Sequence, residues 1–205
     1  MRALNTIKNP KKNILFLGYD ETQTKIIDSL INKECQVAHT AEIINGINTI
    51  NGYDLVVSYG YRHIISADMI KSLACPIFNL HIAYLPYNRG AHPNFWSFYD
   101  NTPSGVTIHL VDDGIDTGPI VVQEYVNFSE DDDTFIKTYK ALNARLEDVF
   151  IGYVDKILTG EWEAKKQRGL GSHHYASDLP QNFAGWHANI DDEIKKLDIE
   201  GLRYE

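Results

Sequence analysis

Short apolar runs alternate with stretches of helical periodicity along most of this chain. Residues 13–18 (NILFLG) form a β-type run closed by glycine. Residues 21–33 follow, with Ile26, Ile27, Leu30 and Ile31 at helical spacing. Residues 35–38 and 54–58 read as further strands, and 67–73 as a short helix with Ser66 at its N-cap. Residues 77–82 (IFNLHI) are another strand, a loop covers 83–91, and Pro93 suits the first position of a helix over 94–99. Two β-type runs, 105–111 and 119–126, are joined closely enough to be antiparallel neighbours. Asp131, Asp132, Asp133 and Thr134 then supply cap and dipole chemistry for a long helix, whose stripe Phe135, Tyr139, Leu142, Leu146, Val149 and Tyr153 lays one apolar face on the sheet. A short helix over 190–197 closes the pattern. Strands alternating with helices predict an α/β fold, a mostly parallel open sheet with helices on both faces.

Within that frame the strand at 77–82 stands out. Side chains alternate across a strand, so Ile77, Asn79 and His81 share one face and Phe78, Leu80 and Ile82 the other. A buried strand of such a sheet is normally apolar on both faces. An amide and an imidazole at its C-terminal end, where open sheets bind ligands, point to a site. The connection 112–118 (DDGIDTG) is longer and more acidic than a hairpin needs, which also marks it as a place where sites form.

Composition narrows the function classes. The 205 residues allow one principal domain, expected over 1–159, with the less periodic and aromatic-rich 160–205 as an extension on or beside it. A formal charge of −9, from 19 Lys+Arg against 28 Asp+Glu, argues against a general nucleic-acid or acidic-membrane surface. The basic start is followed by an apolar run, 14–17, too short for a signal or a membrane span, so the expected location is the cytoplasm. Cys35 and Cys75 each lie beside an apolar run and read as reduced packing residues. The first turn, Gly18-Tyr19-Asp20, lacks the G-x-G-x-x-G cradle, which disfavours a nicotinamide or flavin role.

The candidate chemistry is a convergence of Asn79, His81 and Asp116. An amide N–H can stabilise a developing oxyanion, an imidazole can move a proton near neutral pH, and a carboxylate can hold that imidazole or relay its proton. No Ser or Cys nucleophile is needed if the substrate brings an amine. An isolated N-x-H also fits a satisfied core histidine beside a turn-capping asparagine.

The surrounding residues decide between these. Asn79-Leu80-His81, then Leu85-Pro86 and Arg89-Gly90-Ala91, then Gly105-Val106-Thr107-Ile108, then Asp113-Gly114-Ile115-Asp116-Thr117-Gly118 resemble the folate-dependent formyltransferases, in order and in spacing. The resemblance implies a Rossmann-like sheet, with Asn79, His81 and Asp116 as the catalytic triad. It implies 10-formyltetrahydrofolate as co-substrate, its pterin lying against Arg62-His63-Ile64-Ile65 and against Asp112, Asp113, Gly114 and Ile115.

The acceptor is a separate question. The tRNA-formylating members of the family usually carry an extra C-terminal domain and a basic surface, so that branch is set aside for an acidic chain of this length. The glycinamide ribonucleotide branch usually opens with a Gly-Asn-Gly/Ser type turn, from which Gly18-Tyr19-Asp20-Glu21 departs by placing acids where phosphate would sit. The run 87–98 (YNRGAHPNFWSF) is similar to the sugar-nucleotide N-formyltransferases, which usually act on a 4-amino-4,6-dideoxysugar carried by dTDP or GDP. The expected acceptor-binding residues are Tyr84, Tyr87, Arg89, Gly90, His92, Asn94 and Trp96: on physical grounds Arg89 can meet a phosphate and the aromatics can flank sugar or base, while Trp96 also fits a helix face packed on the sheet. His173, His174 and Asp178 are candidates to close over the nucleotide, and exposed aromatics such as Trp162 and Trp186 offer a homodimer surface. Other classes compete: a metal-dependent hydrolase using the histidines and aspartates, against which stands the lack of an H-E-x-x-H helix, and a non-catalytic nucleotide-sugar binding protein, which would not require an oxyanion donor together with a proton carrier.

Overall fold

Buried apolar runs too short for helices satisfy their backbone groups by pairing with one another. In the computed structural model, which describes residues 1–44, 46 and 50–199, they pair into a mixed, mostly parallel seven-stranded sheet. Its strands are β1 (Arg2–Ala3), β2 (Asn13–Gly18), β3 (Gln36–Thr40), β4 (Leu55–Tyr59), β5 (Ile77–His81), β7 (Gly105–Leu110) and β8 (Ile120–Tyr125), in the order β1-β3-β2-β4-β5-β7-β8. β3, β2, β4 and β5 are mutually parallel, and β1 is antiparallel to β3. The helices are α1 (Ile26–Asn32), α2 (Ala67–Ser72), α3 (Pro93–Tyr99), α4 (Phe135–Thr159) and α5 (Ile190–Ile199).

The chain divides into two compact units, each discontinuous in sequence. The first comprises Met1–His81, Ile108–Val122 and Glu147–Lys166. In it, Leu15, Leu17, Ala38, Val56 and Ile77 form one apolar layer with Met69 of α2. The alternate residues Ile14, Phe16, Val37, Val57 and Phe78 are also fully buried, on the opposite face. Ion pairs Lys25–Asp148 and Lys33–Asp155, both 2.6 Å, link α1 to the later turns of α4. α1 begins five residues after the expected start at 21. Asp20 accepts hydrogen bonds from the Thr22 backbone N–H at 2.9 Å and from its hydroxyl at 2.6 Å, which holds 20–23 in a turn. Ser66 caps α2 as expected, accepting from the Met69 N–H at 3.3 Å.

The register of the last strands matters most for function. Val111 N–H donates to Ile77 O and Leu110 N–H to Pro119 O, both at 2.9 Å. The beginning of β5 therefore lies beside the end of β7, an antiparallel pairing, which sets Asn79 opposite His109 on the same face. β8 returns antiparallel to β7, as the short connection implied.

The second unit comprises Ile82–Thr107, Gln123–Leu146 and the chain from Gln167 onward. Its core is Phe95, Trp96, Tyr99, Phe135, Ile190 and Leu197, with Phe183 edge-on to Phe95 at 4.9 Å. The expected loop at 83–91 contains a short strand, β6 (Arg89–Gly90), which pairs in parallel with β9 (His173–His174). Along α4 the expected stripe is partly shifted: Phe135, Leu142, Leu146 and Val149 are buried, Tyr139 and Tyr153 are half-buried at its margin, and Thr138, Phe150, Val154 and Ile157 complete the buried face. A strict three-and-four alternation drifts off a 3.6-residue period over so long a helix.

Candidate active site

Four polar side chains meet at one place in the first unit. β5 supplies Asn79 and His81 on the face that carries Ile77 deeper in the layer. β7 supplies His109 from directly across the pair. The loop after β7 supplies Asp116. Asn79 Nδ2 lies 3.1 Å from Asp116 Oδ1 and 3.1 Å from His109 Nε2. His109 Nε2 is 3.4 Å from the same carboxylate oxygen, and His81 Nε2 is 3.7 Å from Asp116 Oδ2. The carboxylate is thus within ion-pair reach of His81 but beyond a hydrogen bond. Asp116 was expected to hold the His81 imidazole or relay its proton; it lies within ion-pair reach of His81 and approaches Asn79 and His109 more closely. The imidazoles of His81 and His109 stand edge to face, 6.3 Å apart.

The loop that delivers Asp116 is held by its own side chains and by one glycine. Asp112 Oδ1 accepts from the Gly114 N–H at 3.1 Å and from the Thr117 hydroxyl at 2.6 Å, closing the turn. Asp116 has φ 51°, in the left-handed region that short polar residues tolerate. A Cβ on Gly118 would stand 1.7 Å from Leu110 O, so only glycine lets the loop return against the end of β7. Asp113, Gly114 and Ile115 are exposed, and Asp112 is half-buried.

Arg62, His63, Ile64 and Ile65 follow β4 without regular structure. Tyr61 anchors this segment, its hydroxyl donating to Glu42 O at 3.0 Å and accepting from the Ile44 N–H at 3.1 Å, while His63 stands edge-on to the Tyr61 ring at 5.3 Å. Ile65 packs on the apolar layer, whereas Ile64 is 84% exposed.

The expected acceptor residues all lie in the second unit. Arg89 donates through Nε and Nη2 to Gln167 Oε1 at 3.0 and 2.6 Å, a neutral amide rather than a carboxylate. Gly90 has φ 85°, and a Cβ there would meet His174 O at 2.3 Å. Tyr87 is exposed. Tyr84 stacks on Tyr125 with ring centroids 3.7 Å apart, and the hydrogen bond to Tyr125 pushes its phenol pKa up to about 12. His92 packs 5.2 Å from Trp186, and burial pushes its imidazole pKa down.

Asn94 and Trp96, also expected at the acceptor surface, are packing residues instead. They are 3% and 5% exposed. Asn94 Nδ2 donates to Phe135 O at 2.8 Å, and Trp96 stacks flat on His174 at 3.9 Å. His174 Nε2 approaches Asp100 Oδ2 to 2.9 Å, within ion-pair distance but at an angle that makes no well-formed hydrogen bond. Trp162, expected as an exposed aromatic, is half-buried against Phe78 at 5.1 Å, and Trp186 is 37% exposed.

This geometry fits the motif order along the chain, and the formyl transferase family model matches residues 12–152. The chain belongs to the formyl transferase family. A dTDP-4-amino-4,6-dideoxyglucose formyltransferase from Mycobacterium bovis is 32% identical over 148 residues, 72% of this chain and 59% of that protein. A methionyl-tRNA formyltransferase from Fusobacterium nucleatum is 33% identical over 115 residues, 56% of this chain and 37% of that protein. Among solved structures, the formyltransferase PseJ from Anoxybacillus kamchatkensis, in complex with UDP-4,6-dideoxy-4-formamido-L-AltNAc and tetrahydrofolate, matches with a TM-score of 0.82 and 36% identity. That match covers 90% of this chain and 98% of PseJ. The chain therefore spans about 59% of the curated amino-sugar relative but nearly the whole of PseJ.

For a formyl transferase the residue that sequence reasoning missed is His109. Its imidazole is buried, 1% exposed, yet it touches both Asn79 and Asp116. The available signal was the antiparallel partner of β5, since a residue opposite Asn79 shares its face. Among the described residues no helix is long and apolar enough to cross a membrane, and no three His, Cys, Asp or Glu side chains are placed to hold a metal ion.

Proposed function

We propose that this chain is an N-formyltransferase that moves a formyl group from 10-formyltetrahydrofolate to the amine of a nucleotide-linked amino sugar, a 4-amino-4,6-dideoxysugar. The observation that carries the reading is the convergence of Asn79, His81 and Asp116 within a few ångströms. The acceptor class is supported by the match to PseJ over nearly all of that chain, and by the named sugar of the mycobacterial relative. PseJ was solved with a UDP-linked sugar and the mycobacterial relative is named for a dTDP-linked one, so the carrier is assigned here only as a nucleotide.

The amine attacks the formyl carbon, a C–N bond forms and the carbonyl oxygen takes up negative charge. Asn79 donates an N–H to that oxygen, with His81 as the second donor. Asp116, with His81, accepts the proton that the nitrogen sheds, and the proton returns to the folate nitrogen as its bond to the formyl carbon breaks. No charge on the protein is created or lost over the cycle.

The segments 62–65 and 112–115 suit a flat pterin. Both offer backbone groups beside apolar tips, Ile64 and Ile115, that are exposed to the extent of 84% and 42%. Tyr84, Tyr87, Arg89, Gly90 and His92 are assigned to the nucleotide sugar.

The test is to offer the purified chain 10-formyltetrahydrofolate with dTDP-, GDP- and UDP-linked 4-amino-4,6-dideoxysugars and glycinamide ribonucleotide. Formylation of an amino sugar is expected. Formylation of glycinamide ribonucleotide alone would reject the assignment.

A further inference from the structure

Asn79 can act as an oxyanion donor only if something fixes the rotation of its amide. We propose that His109 is that positioning residue, holding Asn79 through a ring nitrogen whose protonation is set by the backbone. The inference rests on the formyl-transfer reading above for its catalytic consequence, but its geometry stands apart from it.

His109 Nδ1 lies 2.9 Å from Leu110 O. A carbonyl accepts and cannot donate, so Nδ1 carries the hydrogen, and the neutral ring presents a lone pair at Nε2. That lone pair faces Asn79 Nδ2 at 3.1 Å. The orientation of the amide follows: a lone pair at Nε2 and a carboxylate oxygen at Asp116 both require a donor, so the NH2 rather than the carbonyl end of Asn79 points at them.

The triangle also decides what the second amide hydrogen does. Nδ2 is 3.1 Å from each acceptor and the acceptors are 3.4 Å apart, a nearly equilateral arrangement. The acceptors thus subtend about half the angle between the two hydrogens of a planar amide. That angle allows one N–H to serve both His109 and Asp116, which leaves the other available as the oxyanion donor. With the ring removed, Asn79 has only the carboxylate to fix it, and that carboxylate is the group assigned to receive the amine proton. His109 is buried and in contact with Asn79, so we take it to act through the amide and not on the substrate.

Two measurements test this. Long-range 1H–15N NMR of histidine-labelled protein is expected to show the His109 ring protonated at Nδ1 and bare at Nε2; an Nε2–H ring would overturn the proposal. In kinetics, His109→Gln places an amide oxygen near the position of Nε2 and is expected to keep kcat within a few-fold. His109→Leu fills similar space without an acceptor and is expected to lower kcat about a hundredfold, the scale of a misplaced catalytic group, with KM for the acceptor sugar unchanged. A folded His109→Leu protein with the parent kcat would sink the idea, as would a folded His109→Gln protein as impaired as His109→Leu. Should the parent chain formylate no acceptor, the formyl-transfer reading fails. The ring signals and the Asn79 side-chain 15N signals, expected to move in His109→Leu and to be largely retained in His109→Gln, then decide the clamp alone.

Discussion

Gly118→Ala tests whether the Asp116 loop is held where the site needs it. The added Cβ would meet Leu110 O at 1.7 Å and Leu110 C at 2.8 Å. Ordinary contact begins at about 3.5 Å. The obstruction is backbone, which has no rotamer to escape into, so the loop has to part from the end of β7 by more than an ångström. The adjacent Leu110 N–H to Pro119 O bond, 2.9 Å, is the first to be lost. Overpacking of this kind costs about 1–3 kcal/mol, and an unsatisfied buried backbone group costs about as much again. For a chain of this size that total of about 2–6 kcal/mol is a fall in melting temperature of about 4–24 °C. Asp116 lies two residues away, and its displacement by about 1 Å is expected to lower kcat about a hundredfold. Thermal unfolding by circular dichroism and initial rates of formyl transfer measure the two effects. Gly114→Ala is the control: its Cβ would meet the Thr117 hydroxyl at 2.1 Å, but that side chain can rotate, so both losses are expected to be smaller. A Gly118→Ala protein that melts and turns over like the parent would refute the packing argument.

Asn79→Ala, His81→Ala and Asp116→Ala are each expected to fold and to lose about 10²–10³ in kcat, the usual scale for one oxyanion donor or one proton-transfer group; a His81→Ala enzyme with a near-normal rate would remove the imidazole from the chemistry. Burial holds the His92 pKa below its ordinary value of 6.5. Below that pH the unfolded chain binds a proton that the folded one resists, so the contribution of this group favours folding above pH 6.5 and is lost as pH falls toward the folded pKa. His92→Asn is expected to flatten the acid side of a urea-melt stability profile, and an unchanged slope would show that His92 does not contribute to it.

The sheet was legible because its causes are local. Asn13–Gly18, Leu55–Tyr59 and Ile77–His81 are apolar runs of strand length, and Ser66 is a residue type that caps helices whatever lies around it. Asn79 and His81 announced themselves as polar positions at the C-terminal end of an otherwise buried strand. α1 begins later than its periodicity implies because Ile26, Ile27 and Leu30 fix a helical face but not its start, which the Asp20 turn delays. Asn94 and Trp96 read as ligand contacts from the motif they sit in, yet the aromatic cluster around Phe95 and Phe135 encloses them.

Alternation along one strand determined which side of the sheet Asn79 and His81 occupy, since that depends only on backbone pleating. The identity of the fourth member did not follow. His109 is thirty residues from Asn79, and only the antiparallel register of β5 and β7 brings the two face to face. Likewise the acidic loop declared itself in the sequence, but the choice of Asn79 and His109 over His81 as the nearer partners of Asp116 was made by the left-handed turn at Asp116 and the tight return at Gly118. Periodicity is carried by neighbours in sequence, whereas hydrogen-bond partners are set by distances that exist only once the strands have paired.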